Sequence, residues 1–251
     1  MTVIIYASGG GAVLENNKIN ILSSSALKLM ACGFMLIDHV GVRLFPRILL
    51  LRIIGRLAYP IFAFFIAEGC RHTSNRLRHF LSVFVLGAIC ESVYIIYDGA
   101  WYGNILLTFS LSILLIYLMQ WCREGPNARY VIFAAALGAL FVLTTYVNFD
   151  YGFFGIIAPL FAAFPGDRRN ESAGITPPSP KHSTKLILFT AGIMLTCVGN
   201  GLGHIQLFAL LTIPLLAMYS GKPGHRKLKY FFYVFYPVHL LLIELAAMLI
   251  Y

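Results

Sequence analysis

The chain has 251 residues, of which 59% are hydrophobic and only 12% are charged. A soluble domain averages roughly half apolar and a quarter charged residues, so the composition excludes an ordinary soluble globular protein. The mean hydropathy of +0.79 indicates a lipid environment. At about 20 apolar residues per spanning helix, nine helices would leave only short connections and no room for a second, soluble domain.

Apolar runs follow one another along almost the whole chain and predict an all-α, polytopic transmembrane bundle of about nine spans. Residues 1–24 are predicted to form an N-terminal cytoplasmic segment without the features of a signal peptide, and residues 25–251 a single transmembrane domain. Within that domain, the Pro-, Ser- and Gly-rich stretch 165–184 is predicted to be a flexible cytoplasmic loop. The predicted spans are 25–45, 49–68, 79–97, 103–121, 129–147, 152–164, 185–201, 203–219 and 229–250. The sixth is too short to cross the bilayer unless irregular backbone shares its span.

The net charge of +9 is distributed as a membrane topology requires. Fifteen of the nineteen Lys and Arg residues fall in alternate connections between spans. The positive-inside rule therefore predicts a cytoplasmic N-terminus and, with nine spans, a C-terminus outside. Because the basic residues follow this pattern, we expect no nucleic-acid partner. The exceptions lie together around the outer turn between the first two spans: Arg43, Arg47, Arg52 and Arg56.

Ionisable side chains concentrate in the outer part of the predicted bundle. Asp38 and His39 lie within the first span, and Arg56 lies well inside the second. An ionised residue in a span costs about 2.5–3.5 kcal/mol on the insertion scale, so each needs a partner. We expect Asp38 to face the arginines, and a carboxylate of another helix, Glu91 or Asp150, to orient His39. The same side also carries Asn104, Asn200, His204 and Gln206.

Two interpretations of this outer cluster stay open. Its residues could form an ion-pair network that holds helices together. Alternatively, a histidine beside excess arginine indicates a site for an anionic ligand with proton transfer. His239 lies about 15 Å from the inner end of the last span, near the middle of the membrane. It is either a hydrogen-bonded core residue or a second functional histidine, and Pro237 frees a backbone carbonyl near it.

The predicted inner side carries two short basic loops, RHTSNRLRH at 71–79 and GKPGHRKLK at 221–229. Arg forks and exposed backbone N–H groups suit phosphate binding. For either loop taken alone, topology and anionic lipid headgroups are the favoured explanation. Glu68 is either an interfacial acid or a partner of the Arg71 loop. The five cysteines show no paired spacing, and no Cys/His metal motif or nucleotide-binding loop is present, so we expect no metal.

Five runs of the sequence resemble, in order, the signatures of the TraX family. They are IDHVG (37–41), GRLAYPIFAF (55–64), YGNILLTF (102–109), FDYGFFGI (149–156) and KYFFYVFYPVHL (229–240). The resemblance extends from about residue 25 to residue 245. Members are multi-pass proteins of the bacterial inner membrane, and the founding member N-acetylates the conjugative pilin subunit.

The resemblance implies a membrane-embedded acetyltransferase. It would take acetyl groups from cytosolic acetyl-CoA and pass them to an amine or hydroxyl acceptor at the outer side of the inner membrane. That acceptor would be a small molecule, a glycan, a lipid or a peptide amine. The family positions fall on Asp38, His39, Gly55, Arg56, Pro60, Asn104, Tyr151, Gly152 and His239.

On this basis we assign expected roles to three groups of residues. The catalytic group is His39, Asp38, Arg56 and His239, with His39 as general base. The substrate-binding group is Arg43, Arg52, Glu91, Asn104, Asp150 and Tyr151, with Asn104 also helping Arg56 to stabilise the oxyanion. The group expected to bind the phosphates of acetyl-CoA is Glu68, Arg71, His72, Arg76, Lys222, Arg226, Lys227 and Lys229. In the last group, as for Arg43 and Arg52, the assignment rests on charge alone.

A different class of function uses the same residue types. Proton-coupled and anion transporters also place Asp, His, Arg and Glu inside the membrane. The sequence shows no internal repeat of the kind that marks inverted-repeat transporters, and its charges gather in one leaflet. Both features favour the acetyltransferase over the transporter.

Overall fold

The computed structural model describes residues 21–164, 182–201, 205–222 and 228–250. Helices account for most of this part of the chain, and a single bridge between Leu22 and Tyr219 is its only extended pairing. The helices are α1 (Ser24–Arg43), α2 (Leu49–Gly55), α3 (Ala58–His72), α4 (Arg76–Asp98), α5 (Ile105–Arg123), α6 (Arg129–Tyr146), α7 (Gly152–Ala163), α8 (His182–Gly199), α9 (Thr212–Ala217) and α10 (Leu228–Ile250). A 3₁₀ helix, Gln206–Leu211, leads directly into α9.

The helices have the length and apolarity of membrane spans. Within the described ranges, seven segments are long and apolar enough to cross a bilayer, counting α2 and α3 together as Leu49–His72. Two shorter apolar helical segments, Gly152–Ala163 and Gln206–Ala217, join them. The prediction of an all-helical, polytopic transmembrane bundle is confirmed. The number of nine spans and the cytoplasmic N-terminus stay predictions.

Two predicted spans differ from the observed helices. The run 49–68 contains a break at Arg56 and Leu57, and its second helix continues to His72. The run 203–219 forms the 3₁₀ helix and the six-residue α9 instead of one long helix. The sixth run is short, as predicted, and forms only the 12-residue α7. Residues 1–20 of the predicted segment 1–24 lie outside the described residues. The same holds for residues 165–181 of the predicted loop 165–184.

Short polar caps set where several helices begin and end. The Ser23 hydroxyl accepts the Ala26 N–H at 3.2 Å, and the Asn75 side chain accepts the Arg78 N–H at 2.8 Å. Gly99, with φ of +65°, ends α4 in the left-handed conformation that suits glycine. Because the connections 44–48, 73–75, 99–104, 124–128 and 147–151 are short, successive spans run antiparallel.

The antiparallel order gives the bundle two ends. We call the end with connections 44–48, 99–104 and 147–151 the Arg43 end, and the end with connections 73–75 and 124–128 the Glu68 end. Helix α5 is the most buried of the long helices, whereas α6 buries none of its residues and lies at the periphery. Helices α3 and α7 pack against α5, and the three helices share a continuous apolar core that includes Phe64, Ile113 and Ile156.

Candidate functional site

Asp38 lies near the Arg43 end of α1 and binds two arginines, Arg52 on α2 and Arg56 directly after it. Its carboxylate accepts hydrogen bonds from Arg56 Nη2 at 3.1 and 3.0 Å and forms an ion pair with Arg52 Nη1 at 2.8 Å. Arg52 and Arg56 are one helical turn apart, so both reach the same partner. The prediction that Asp38 faces the arginines is confirmed. The Asp38 carboxylate thus holds two guanidinium groups at one point.

A glycine allows this contact. A Cβ atom added to Gly55 would lie 2.2 Å from Asp38 Oδ1 and 2.5 Å from its carboxyl carbon, far inside van der Waals contact. Only a residue without a side chain lets α2 lie directly against the Asp38 carboxylate. The helix break that follows, at Arg56 and Leu57, turns the chain from α2 into α3 at the same point.

His39 pairs with a second histidine. Its Nδ1 lies 2.9 Å from Nε2 of His239 on α10, and the two rings are nearly parallel with centroids 5.0 Å apart. Nδ1 of His239 lies 2.8 Å from the carbonyl oxygen of Phe235. Phe235 also stacks on the His239 ring, and Tyr236 meets both imidazoles edge-on. The expectation that Glu91 or Asp150 orients His39 is wrong, because the partner of its ring is His239.

The chain of contacts fixes the tautomers of two neutral imidazoles. A carbonyl oxygen can only accept, so His239 Nδ1 carries a proton and donates it to Phe235. The Nε2 atom of His239 then has a lone pair and accepts the proton on His39 Nδ1. His39 is left with its lone pair on Nε2. An imidazole oriented in this way can accept a proton from a substrate.

Arg56 also contacts residues of two other elements. Its guanidinium carbon lies 5.7 Å from the centre of the Tyr151 ring, within cation–π range, and its Nη1 donates to Gln206 Oε1 at 3.4 Å. Tyr151 has a φ of +61°, uncommon for a residue with a side chain, and it immediately precedes α7. Its ring stacks on Tyr59 with centroids 4.0 Å apart. These packed rings hold Tyr151 beside the guanidinium.

We define the central cluster as Asp38, His39, Arg52, Arg56, Tyr151, Gln206 and His239. It joins α1, α2, α10, the residue before α7 and the first residue of the 3₁₀ helix. Gln206 lies on the predicted outer side, but no role is predicted for it from sequence, because a neutral amide carries no electrostatic cost that would single it out.

Glu91 and Asn104 form a separate, structural unit. The Glu91 carboxylate accepts the N–H groups of Tyr102, Gly103 and Asn104 at 2.6, 2.9 and 2.9 Å, and also Asn104 Nδ2 at 2.7 Å. The second hydrogen on Asn104 Nδ2 goes to the carbonyl oxygen of Gly87 at 2.8 Å, while its side-chain oxygen caps α5. Both residues are 2% exposed. The expectation that they bind substrate is not met by this geometry, since their hydrogen-bonding groups are committed to the α4–α5 connection.

Arg43 and Asp150 also lie in contacts of their own. Arg43 Nε donates to Glu244 of α10 at 2.6 Å, and Arg43 Nη2 pairs with Asp98 at the end of α4. This triad joins three helices and does not include His39, although His39 and Arg43 are one turn apart. Asp150 is fixed through its backbone, which donates to the Gly103 carbonyl at 2.8 Å and accepts from Thr108 at 3.0 Å. Glu244 was not singled out from sequence.

At the Glu68 end, one carboxylate gathers several cations. Glu68 lies 3.1 Å from Lys185 Nζ on α8, 3.5 Å from Arg71 Nη1 and 3.5 Å from His72 Nε2. The side chains of Glu68, Arg71 and Lys185 are only 10–12% exposed, whereas His72 is 77% exposed. Of the two alternatives for Glu68, the ion pair with the Arg71 loop is the one observed. Lys185 belongs to this group and was not assigned a site role from sequence.

The remaining basic residues expected to bind phosphate are less closely grouped. Arg76 pairs with Glu124 at 3.6 Å, and Lys222 is exposed. Arg226, Lys227 and the side chain of Lys229 lie outside the described part of the chain, as does His204. Among the described residues, no three His, Cys, Asp or Glu side chains are grouped as metal ligands.

The fold and the central cluster define a polytopic membrane protein that holds a histidine pair and an arginine–carboxylate group between its helices. A family model described as TraX protein matches residues 23–246. The chain therefore belongs to the TraX family, as the sequence resemblance predicted.

Two curated relatives are similar to this chain. One is described as a probable fimbrial assembly protein, FimC, serogroup H1, of Dichelobacter nodosus. It is 27% identical over 246 residues, which cover 90% of this chain and 96% of the relative. The other is the uncharacterized protein RP591 of Rickettsia prowazekii (strain Madrid E). It is 43% identical over 53 residues, which cover 21% of this chain and 21% of the relative. No solved structure matches the chain significantly.

Proposed function

We propose that this protein is a membrane-embedded acetyltransferase of the bacterial inner membrane. It moves the acetyl group of cytosolic acetyl-CoA to an amine or hydroxyl acceptor that enters from the Arg43 end. The observation that carries the proposal is the hydrogen-bonded series from the Phe235 carbonyl through His239 to His39, which leaves a lone pair on His39 Nε2. Acyl transfer to a neutral amine or hydroxyl needs a base of this kind.

The chemistry assigns a separate task to each histidine. His39 Nε2 takes the proton from the acceptor nitrogen or oxygen as that atom attacks the thioester carbon. The carbon–sulfur bond then breaks, and the proton passes from His39 to the departing sulfur, which leaves as the free thiol of CoA. His239 keeps the His39 ring in the required tautomer and shares the positive charge that forms on it. A positioned base of this type contributes typically 10²–10⁴ in rate.

The Glu68 end supplies groups suited to the CoA phosphates. Arg71 and Lys185 are held by Glu68 in largely buried positions, so their cationic heads are oriented before a ligand arrives. Arginine binds phosphate oxygens through two parallel N–H groups and lysine binds them as a point charge. By the positive-inside rule this end faces the cytosol, where acetyl-CoA is found. The pantetheine arm would then pass between the helices towards His39.

The name of one relative supports a peptide acceptor. The Dichelobacter nodosus relative is named for fimbrial assembly, and the family resemblance implies acetylation of a pilin subunit. We therefore expect the acceptor to be the N-terminal amine of a fimbrial or pilin subunit presented at the outer face.

The test measures transfer from radiolabelled acetyl-CoA to peptide amines by the purified protein in lipid nanodiscs. The H39Q variant removes the base but keeps an N–H donor towards His239, and we expect kcat to fall by about 100-fold or more. The matched control is H182Q, because His182 lies at the other end of the bundle and its ring contacts the Leu216 carbonyl at 2.9 Å. Glutamine can preserve that hydrogen bond, so H182Q should stay within about threefold of the parent kcat.

Full activity in H39Q would remove His39 from the mechanism. If the parent protein transfers no acetyl group but drives anion or proton flux in liposomes, the transporter alternative replaces the acetyltransferase. The flux assay uses the same preparation, so the two outcomes are compared directly.

A further inference from the structure

Two hydrogen-bond donors in the central cluster are buried and unpaired. Within the described part of the chain, Arg56 Nε and Gln206 Nε2 have no hydrogen-bond partner and almost no exposed area. Gln206 as a whole is 8% exposed, and the Arg56 side chain is 15% exposed. A buried donor without an acceptor costs free energy comparable to a lost hydrogen bond, so native proteins rarely keep one without a function.

The orientation of the Gln206 amide follows from its neighbour. Its Oε1 accepts from Arg56 Nη1 at 3.4 Å. Turning the amide over would place its NH₂ group against a guanidinium that can only donate. Nε2 of Gln206 is therefore the atom that faces away from Arg56 and has no acceptor. The two unpaired donors belong to side chains in contact with each other.

Two other polar side chains towards this end of the bundle already use their donors. Both donor directions of Asn104 are used by Gly87 and Glu91, so Asn104 cannot serve as the second donor beside Arg56. The Tyr59 hydroxyl donates to the Gly155 carbonyl at 2.9 Å. Among these groups, Gln206 is the one with a free N–H.

We infer that Arg56 Nε and Gln206 Nε2 form a two-donor site for the carbonyl oxygen of the acetyl thioester, with Gln206 as a further catalytic residue. This inference rests on the proposed function. When the acceptor nitrogen attacks, the new C–N bond forms and the π electrons of the carbonyl move onto the carbonyl oxygen. The nitrogen gives its proton to His39. The electron pair on the oxygen then re-forms the C=O bond as the C–S bond breaks, and the proton passes from His39 to the departing sulfur. Donors aimed at this oxygen stabilise the charge that develops on it.

The position and charge of the site agree with this role. Asp38 binds Arg56 and directly precedes His39 on α1, so the same turn of α1 carries the base and holds the donor side chain. Asp38 holds the Arg52 and Arg56 guanidinium groups together. Guanidinium groups in a site shielded from water favour the negative charge that develops on an oxyanion.

The test uses Q206E, in which a carboxylate oxygen still accepts from Arg56 while the second oxygen replaces the donor. Infrared difference spectra of carbonyl-labelled [1-¹³C]acetyl-CoA report the carbonyl stretch without turnover. We expect the band of bound acetyl-CoA to lie below its frequency in water for the parent protein and to return towards that frequency in Q206E. We also expect kcat to fall by about 100-fold with little change in the KM for acetyl-CoA. Q206M, which lacks the donor and carries no charge, should behave in the same way if Q206E fails to fold.

The chain's other glutamine, Gln120 on α5, provides the matched control, and Q120E should keep the parent band and kcat. A structural Gln206 that only holds Arg56 predicts an unchanged band in Q206E, and that result overturns the inference. A shifted band in a parent protein that transfers no acetyl group supports the donor site and overturns the proposed function. A parent protein that is active but shows no band shift overturns the inference alone. A parent protein with neither acetyl transfer nor a band shift overturns the inference and the proposed function together.

Discussion

At the scale of single residues, three groups of ionised side chains towards the Arg43 end have different tasks. Asp38 with its two arginines lies beside the histidine pair, Arg43 joins Asp98 and Glu244, and Glu91 binds backbone amides. Of these three groups, only the first contains a buried donor without a hydrogen-bond partner. A carboxylate whose lone pairs are all used by one loop holds that loop in place, whereas a group with spare donors and a spare lone pair can act on a substrate.

Replacing Glu91 separates a structural role from a substrate-binding one. In E91Q, an NH₂ group replaces one carboxylate oxygen and faces the N–H donors that this oxygen accepted, either those of Tyr102 and Gly103 or those of Asn104, which lose their acceptor. Hydrogen bonds to a charged group are worth about 1.5–3 kcal/mol each, so we expect the free energy of unfolding to fall by at least this amount. Equilibrium unfolding in mixed detergent micelles measures the change.

The matched control for E91Q is E124Q, because Glu124 is 57% exposed and only 3.6 Å from the equally accessible Arg76. Its loss should change the free energy of unfolding by less than about 1 kcal/mol. A stable E91Q protein with a raised KM for the acceptor would instead assign Glu91 to the substrate site.

At the scale of elements, the central cluster lies where helices are interrupted. Arg56 is at the break between α2 and α3, Tyr151 is the left-handed residue before α7, and Gln206 opens the 3₁₀ helix. Irregular backbone within a membrane protein is tolerated where it is buried or lines a polar site. Three interruptions that meet at one guanidinium therefore indicate that this part of the bundle is built around a polar site.

The packing of α2 on α1 is the element-scale feature that a single methyl group can disturb. In G55A, the new Cβ would overlap the Asp38 carboxylate, which must then move away from Arg56. We expect acetyl transfer to fall by at least 10-fold and thermal stability to decrease, because overpacking typically costs 1–3 kcal/mol. Transfer and thermal unfolding are measured on the same preparation.

Gly138 on α6 provides the control, since a Cβ there meets no atom within 4 Å. G138A should leave transfer and thermal stability unchanged or slightly improved. Equal losses in G55A and G138A would show that the contact with Asp38 has no special importance.

The long helices could be predicted from sequence and the interruptions could not. Runs of about 20 apolar residues locate α1, α4, α5, α6 and α10, and insertion cost singles out Asp38, His39 and Arg56. Hydropathy does not reveal the break at Arg56 or the short length of α9, because Leu49–His72 and Gln206–Ala217 are both apolar segments like the long helices. The partner of His39 lies 200 residues away in sequence, and spacing within one helix says nothing about which distant side chain meets it.

At the scale of the whole molecule, the two ends of the bundle differ in how their charges are arranged. The Glu68 end places Arg71 and Lys185 on one carboxylate. Nearer the Arg43 end, Arg52 and Arg56 bind Asp38, and the next residue, His39, pairs with His239. A donor with several phosphates suits the first arrangement and a reaction centre suits the second. The mechanism therefore requires the Glu68 end to face the cytosol.

Cysteine labelling tests this orientation. The five native cysteines are all buried, so an impermeant maleimide should find little background. We place single cysteines at two exposed positions, Asn127 in the connection 124–128 and Ala100 in the connection 99–104. Neither substitution removes a charge, so the positive-inside signal is unchanged. We expect A100C to be labelled in intact spheroplasts and N127C only in inside-out vesicles. The reverse pattern would place the histidine pair nearer the cytosolic face and contradict transfer from a cytosolic donor to an external acceptor.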